Sequence, residues 1–367
     1  MNSQRLTERF IRYVKCGSES CNEKEFCQLI ENELAALGLE VKRDNAGKFC
    51  GSNGWNIYAR LAGADDPILF SMHTDTVYPG NDIHPVIENG IIRSSGDTIL
   101  GADDKAGIAA VMEALESIIE SQIEHRTVEV LFSVCEEIGM LGAKYADFSN
   151  IKSRKAIVLD SDNLGEIINR NPANVHLHFK ITGKSAHAGL APQEGIHALK
   201  AAAETIAAIP VGKVDEITVM NVSNFISAGK TNVVADKAAF DMEIRSFDEE
   251  RLQKHIRASE KAVSDACKQY GACYEVNMER HSDVIYVPEN SPLVEEVMEG
   301  YKALGVESYL ASSFGGCDAT HIFANGIEVL NLGIGMQSVH SCDEHISVKD
   351  LETISSLMFS LMKIRLS

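Results

Sequence analysis

Apolar and polar positions recur along this chain with two different periods, and the changes of period mark out its elements. Between Asn22 and Leu37 the apolar residues Phe26, Leu29, Ile30, Leu34 and Leu37 fall at helical spacing, with Asn22 and Glu25 placed like a capping box and Gly38 as the stop. This spacing predicts an amphipathic surface helix. The β-rich runs WNIYARL and PILFSMH follow, then HPVIENGIIRS, whose Asn89-Gly90 pair predicts a hairpin turn. A helix is expected from about Asp104 to Ile119. The runs TVEVLFSV and KAIVLD are apolar enough to be interior strands of a mostly parallel sheet, and helical patterns separate them from their neighbours. The fold class expected is α/β, with helices flanking that sheet.

From about Ala173 the pattern changes. VHLHFKIT alternates, an Ala-rich helix is expected near 193–209, and EITVMNV, KAAFDMEIRSF, a long polar helix and CYEVNME follow. That β-α-β-β-α-β order predicts a separate ferredoxin-like α+β sandwich. After about 283 the alternation of strand and helix resumes with SPLVEEVMEGYKAL, EVLNLG and a helix opening at Ser347. Residues 1–172 and 283–367 are therefore expected to form one discontinuous domain, and 173–282 a second inserted into it.

Composition narrows the function. The 367 residues are 45% hydrophobic and 24% charged, which suits a globular protein. Lys plus Arg number 34 against 53 Asp plus Glu, and the resulting net charge of −19 repels phosphate backbones and anionic lipid surfaces. Nucleic acid and membrane are set aside as partners. No apolar run approaches a membrane span and MNSQRLTERF lacks the apolar stretch of a signal peptide, so a cytoplasmic location is expected. Nine cysteines without a C-x-x-C pair suggest neither a disulfide framework nor a zinc ribbon.

Chemistry is concentrated where apolar strands end. The run ILFSMHTDTV closes on His73 and Asp75, two residues apart, so that both point the same way and the aspartate can accept one imidazole N–H while the other nitrogen binds metal. ILGADDKAG sets Asp103 and Asp104 at a helix start, LFSVCEEIG puts Glu136 and Glu137 after a buried strand, AIVLDSDN ends in Asp160, and SVHSCDEHIS carries His340 and His345. Singly, these have structural explanations as a hydrogen-bonded histidine, helix caps or paired carboxylates. Together they aim imidazoles and carboxylates at one sheet edge, with no matching cluster of Lys or Arg. A pair of divalent metals accounts for this, and imidazole with carboxylate but no thiolate suits zinc, with manganese or cobalt as substitutes.

In these five segments, HTDTV, LGADDKAG, CEEIG, LDSDN and VHSCDE, the chain resembles the M20 family of two-zinc metallopeptidases, and within it the tripeptide aminopeptidases. The resemblance implies that His73 and Asp160 hold one zinc, Glu137 and His340 the other, and Asp103 bridges them. Asp75 then stands behind His73, and Glu136 is the general base that takes a proton from the attacking water. It also implies that the inserted domain is a lid and dimerisation domain of a homodimer. In GKSAHAG, His187 matches the residue that in relatives stabilises the oxyanion, often in the partner's site. Asn232 in TNVV and Arg245 in MEIRS match substrate-binding residues, Arg245 as a carboxylate clamp. In FGGCDAT, Gly315 and Gly316 match a loop lining the substrate cleft, with Cys317 where relatives often have Ser.

By the same resemblance Asp160, where deacylases tend to carry Glu, leans toward a short peptide with a free amino terminus. A dipeptidase, an N-acyl amino acid amidohydrolase and a metal-free binding protein on the same scaffold are the alternatives.

Overall fold

The computed structural model describes residues 1–364, apart from the side chain of Asp65; the last three residues of the predicted 283–367 segment lie outside this range. The chain divides into two compact units, one made of Met1–Asn169 with the segment from Tyr286 onward, the other of Arg170–Ile285.

In the first unit the strands Arg126–Ser133, Ala64–His73, Lys155–Ser161 and Glu328–Gly333 lie side by side and parallel. Antiparallel strands extend this parallel centre on both sides, Ile57–Leu61 next to Arg126–Ser133 and Glu166–Asn171 next to Glu328–Gly333. Every residue of Arg126–Ser133 is buried, as expected of a strand covered on both faces. Register fixes the function of this layer: His73 is level with Ser133, and Gly333 with Ser161, so the carboxyl ends of all four strands open on one edge.

Helix Ala102–Ser121 packs on Ala64–His73, and helices Ser3–Lys15 and Val348–Met362 pack against it in turn. It is buried nearly all round, yet it carries Glu113. Arg5 and Arg9 hold that carboxylate at 2.6 and 3.1 Å, and the backbone N–H of Asn2 and the Ser117 hydroxyl complete its bonds. Burial alone would raise the Glu113 pKa, but the hydrogen bonds from Arg5 outweigh it and hold the group below its ordinary value. The stability it contributes is therefore present above the ordinary carboxylate range and is lost as pH falls through the lowered pKa. Glu113→Ala removes one buried partner from Arg5 and Arg9 while Glu116 still holds both, and is expected to cost about 1–3 kcal/mol in urea denaturation at neutral pH.

Two local expectations change. The early helix runs Lys24–Ala36, and Glu23 rather than Asn22 takes the cap position, without a side-chain cap bond, because its carboxylate turns back to the Cys21 amide and inward to the remote amide of Cys135. The helix expected from Asp104 starts at Ala102 and is interrupted at once, with non-helical backbone at Asp103 and Asp104. The Asn89-Gly90 hairpin forms with both residues at positive φ, and Ser347 caps the last helix by accepting from the Asp350 N–H at 2.9 Å.

The second unit is a five-stranded antiparallel sheet carrying helices Ala198–Ala208 and Glu249–Tyr270. Its core is centred on Phe179 stacked on Phe240, ring centroids 4.5 Å apart. The expected sandwich is present, with one strand more, the short Gly212–Asp215, whose polar sequence gives no alternation to detect.

Candidate metal centre

The carboxyl edge of the parallel strands collects His73, Asp103, Glu136, Glu137, Asp160 and His340. His73 ends its strand and is 2% exposed. Its Nδ1 lies 2.9 Å from the backbone oxygen of Asp75, which sets Nδ1 as the donor and leaves Nε2 with a bare lone pair. That lone pair faces Asp103 Oδ1 at 3.0 Å. The other oxygen of Asp103 faces His340 Nε2 at 3.1 Å, and the same nitrogen lies 3.0 Å from Glu137 Oε1. Asp103 thus stands between two imidazoles, one on each oxygen. Donor atoms of His73, Glu136 and Asp160 all fall within 4.8 Å of one another, as do those of His73, Asp103 and Glu137.

Asp75 departs from expectation. Its backbone carbonyl, and not its carboxylate, takes the imidazole bond; Oδ1 is 3.5 Å from His73 Nδ1. The fully buried carboxylate instead accepts from the Ser20 hydroxyl at 2.7 Å and from the backbone N–H groups of Glu136 at 2.8 Å and Glu137 at 3.2 Å. Once the strand has ended at His73 the chain turns, and the side chain points under the next strand's loop. Glu23 adds the preceding amide, that of Cys135, at 3.1 Å, so three successive N–H groups of the CEE turn end on two buried carboxylates. Gly142 closes that turn where a side chain cannot fit, since a Cβ there would sit 2.0 Å from the Val134 oxygen. Asn331 brackets Asp160 from the next strand, accepting its N–H at 2.9 Å and donating to its carbonyl at 2.7 Å. Sequence reading missed Glu23 and Asn331, whose bonds go to backbone groups remote in sequence.

Electrostatics shows what the cluster lacks. Among the described residues no Lys or Arg pairs with Asp103, Glu136, Glu137 or Asp160; Lys105 is fully buried but donates to the Cys16 carbonyl at 2.8 Å. Burial pushes the Glu136 and Asp160 carboxyls well above the usual range, and mutual repulsion adds to it. The hydrogen bonds of Asp103 and Glu137 raise His340 to about 10. Imidazole nitrogens held against carboxylate oxygens call for positive charge between them, a proton or a metal ion, and this donor set of nitrogen and oxygen fits a pair of divalent cations.

Gly315 and Gly316 lie in the loop after the strand Tyr309–Ser312, with a Cβ at Gly316 meeting Met140 at 3.3 Å, so the loop borders the CEE turn. Asp318, buried, fastens this loop to the Ser133 hydroxyl. His187, Asn232 and Arg245 belong to the second unit. His187 and Asn232 are neighbours, the Ala188 N–H donating to the Asn232 oxygen at 2.9 Å. Arg245 lies elsewhere on that sheet and pairs with Glu243 at 2.7 Å. Register places Lys237 beside Thr182 and Arg245 beside Asn174, so eight residues, roughly 26 Å of strand, separate Arg245 from the His187 end.

A parallel sheet that delivers imidazoles and carboxylates to one edge, paired through a shared aspartate, defines a metal-dependent hydrolase. Residues 69–364 match Peptidase family M20/M25/M40, and the chain belongs to that family. It is similar to the aminopeptidase PepT from Bacillus cereus ATCC 10987, at 34% identity and a TM-score of 0.93 over 99% of this chain and 98% of that one. A tripeptidase from Staphylococcus aureus subsp. aureus Mu50 has the same TM-score and coverage at 32% identity. The uncharacterized protein YqjE of Bacillus subtilis strain 168 is 35% identical over 366 residues, 99% of each chain. The protein is an M20 metallopeptidase, a hydrolytic exopeptidase. Among the described residues no helix is long and apolar enough to cross a membrane.

Proposed function

We propose that the protein is a two-zinc aminopeptidase that releases the first residue of short, unblocked peptides, tripeptides above all. The observation that carries this reading is the Asp103 carboxylate, with His73 on one oxygen and His340 on the other. His73 and Asp160 would hold one zinc, Glu137 and His340 the second, with Asp103 shared; cobalt or manganese would substitute. When bound, the pair supplies Lewis acidity that polarises the scissile carbonyl and acidifies water. Glu136 takes the proton from the attacking water and delivers it to the leaving amine. Its backbone, tied to Asp75, keeps the carboxylate directed at the edge.

Gly315 and Gly316 would let the peptide backbone approach closely, while Arg245 would clamp its carboxylate and His187 with Asn232 would meet the oxyanion. By the likeness to relatives in which the matching histidine often enters the partner's site, His187 would act across a homodimer formed through the second unit. A cytoplasmic location suits nine unpaired cysteines.

The test is hydrolysis of an all-alanine tripeptide and its N-acetyl form by chelated enzyme, with and without zinc. Cleavage of the unblocked peptide only, only with metal, and releasing the first residue is expected, with discrimination on the order of 10⁴. Preferential cleavage of the acetylated form would assign the protein to amidohydrolases instead.

A further inference from the structure

Glu344 is 1% exposed in a loop of otherwise accessible residues, and no step described so far uses it. Its Oε2 accepts from the backbone N–H groups of Leu100 at 2.8 Å and Gly101 at 2.7 Å, and its Oε1 from that of Asp103 at 3.0 Å. All three donors belong to the segment that carries the shared aspartate. Glu344 itself belongs to the loop that carries His340, and that loop is closed internally, the Glu344 N–H donating to the Ser341 oxygen at 3.1 Å and the Ser341 hydroxyl to the Ser338 oxygen at 2.7 Å. His340 sits at φ 61, in the left-handed region that residues other than glycine seldom adopt. The main chains bearing Asp103 and His340 are thus joined through one carboxylate before any contact between the two side chains.

We propose that Glu344 is a positioning residue that sets Asp103 and His340 at the spacing a second metal ion requires, so that the affinity of that ion, which draws on both, depends on it far more than that of the first, which shares only Asp103. The first ion would draw on His73 and Asp160, whose places are fixed by the sheet and by Asn331. The second would draw on Glu137 and His340, and His340 has no strand behind it. The inference rests on the two-metal reading given above.

The isosteric change Glu344→Gln isolates the effect. With the amide oxygen on the Leu100 and Gly101 side, the new NH₂ group confronts the Asp103 N–H, donor against donor, and that one bond is lost. Calorimetric titration of chelated enzyme with zinc alone provides the readout. Two equivalents are expected for the parent; in Glu344→Gln the second is expected to weaken by about 10- to 100-fold while the first changes little. Glu344→Asp, which keeps both acceptor oxygens on a shorter arm, should fall between them, and it serves as the test if the Gln variant does not fold.

Unchanged binding of both equivalents in Glu344→Gln overturns the proposal. Equal loss of both does so too, since that marks a general structural role. A parent that binds fewer than two equivalents overturns the two-metal reading itself, an outcome distinct from either.

Discussion

Glu136→Gln is expected to bind the same metal complement as the parent and to lose turnover of unblocked tripeptides by on the order of 10⁴-fold. The substitution keeps size and the backbone bond to Asp75, and it removes only the capacity to accept a proton. On the proposed reading, charge would let Glu136 do this work while Glu137 holds metal. Two divalent ions would be largely balanced by Asp103, Glu137 and Asp160, leaving Glu136 free to cycle between its two protonation states at moderate cost. Burial holds its carboxyl above the usual carboxylate range in the metal-free protein. Metal content by atomic emission and kcat on the same preparation make the check. Retained activity in a metal-replete variant would remove Glu136 from the mechanism.

The second large effect falls on Asp103. Replacing it by alanine should leave chelated protein folded but abolish uptake of both ions, because each of the two histidines loses the oxygen it faces. In the parent, saturating zinc at 100 times its dissociation constant should add about 2.7 kcal/mol of stability through binding to the folded state alone. Asp103→Ala should show no such gain in a thermal melt with and without zinc. A variant that still gains stability from zinc would mean that Asp103 is not shared. The two substitutions therefore separate chemistry from assembly, since Glu136→Gln should keep the zinc-dependent gain in full.

Much of this site was legible because sheet physics advertises it. Apolar runs of strand length that stop abruptly at His73, Glu136 or Asp160 place those groups at a common edge, and the structure gathers them there. The supports were not legible. Glu23, Asn331 and Glu344 bind backbone groups as many as 244 positions away, and a bond to a backbone amide leaves no trace in the residue type at the other end. Asp75 shows the same limit from the other side: the period-two placement assumed a strand that continues past His73, but the strand ends there and the turn sends the carboxylate to the amides of Glu136 and Glu137. The capping expectation at Asn22 failed for a related reason, because Glu23 meets Cys135, a residue 112 positions on. The strand Gly212–Asp215 escaped notice because it carries no apolar alternation.

Asp103 and His340 are 237 positions apart and meet at 3.1 Å, and the proposed centre would need both. On the two-metal reading, a ribosome that has made Asp103, His73, Glu136 and Asp160 would still have made nothing able to cut a peptide until residue 340 had emerged and docked. Chains cut short before that point would be inert, so the order of residues along the polypeptide delays activity until synthesis is nearly done.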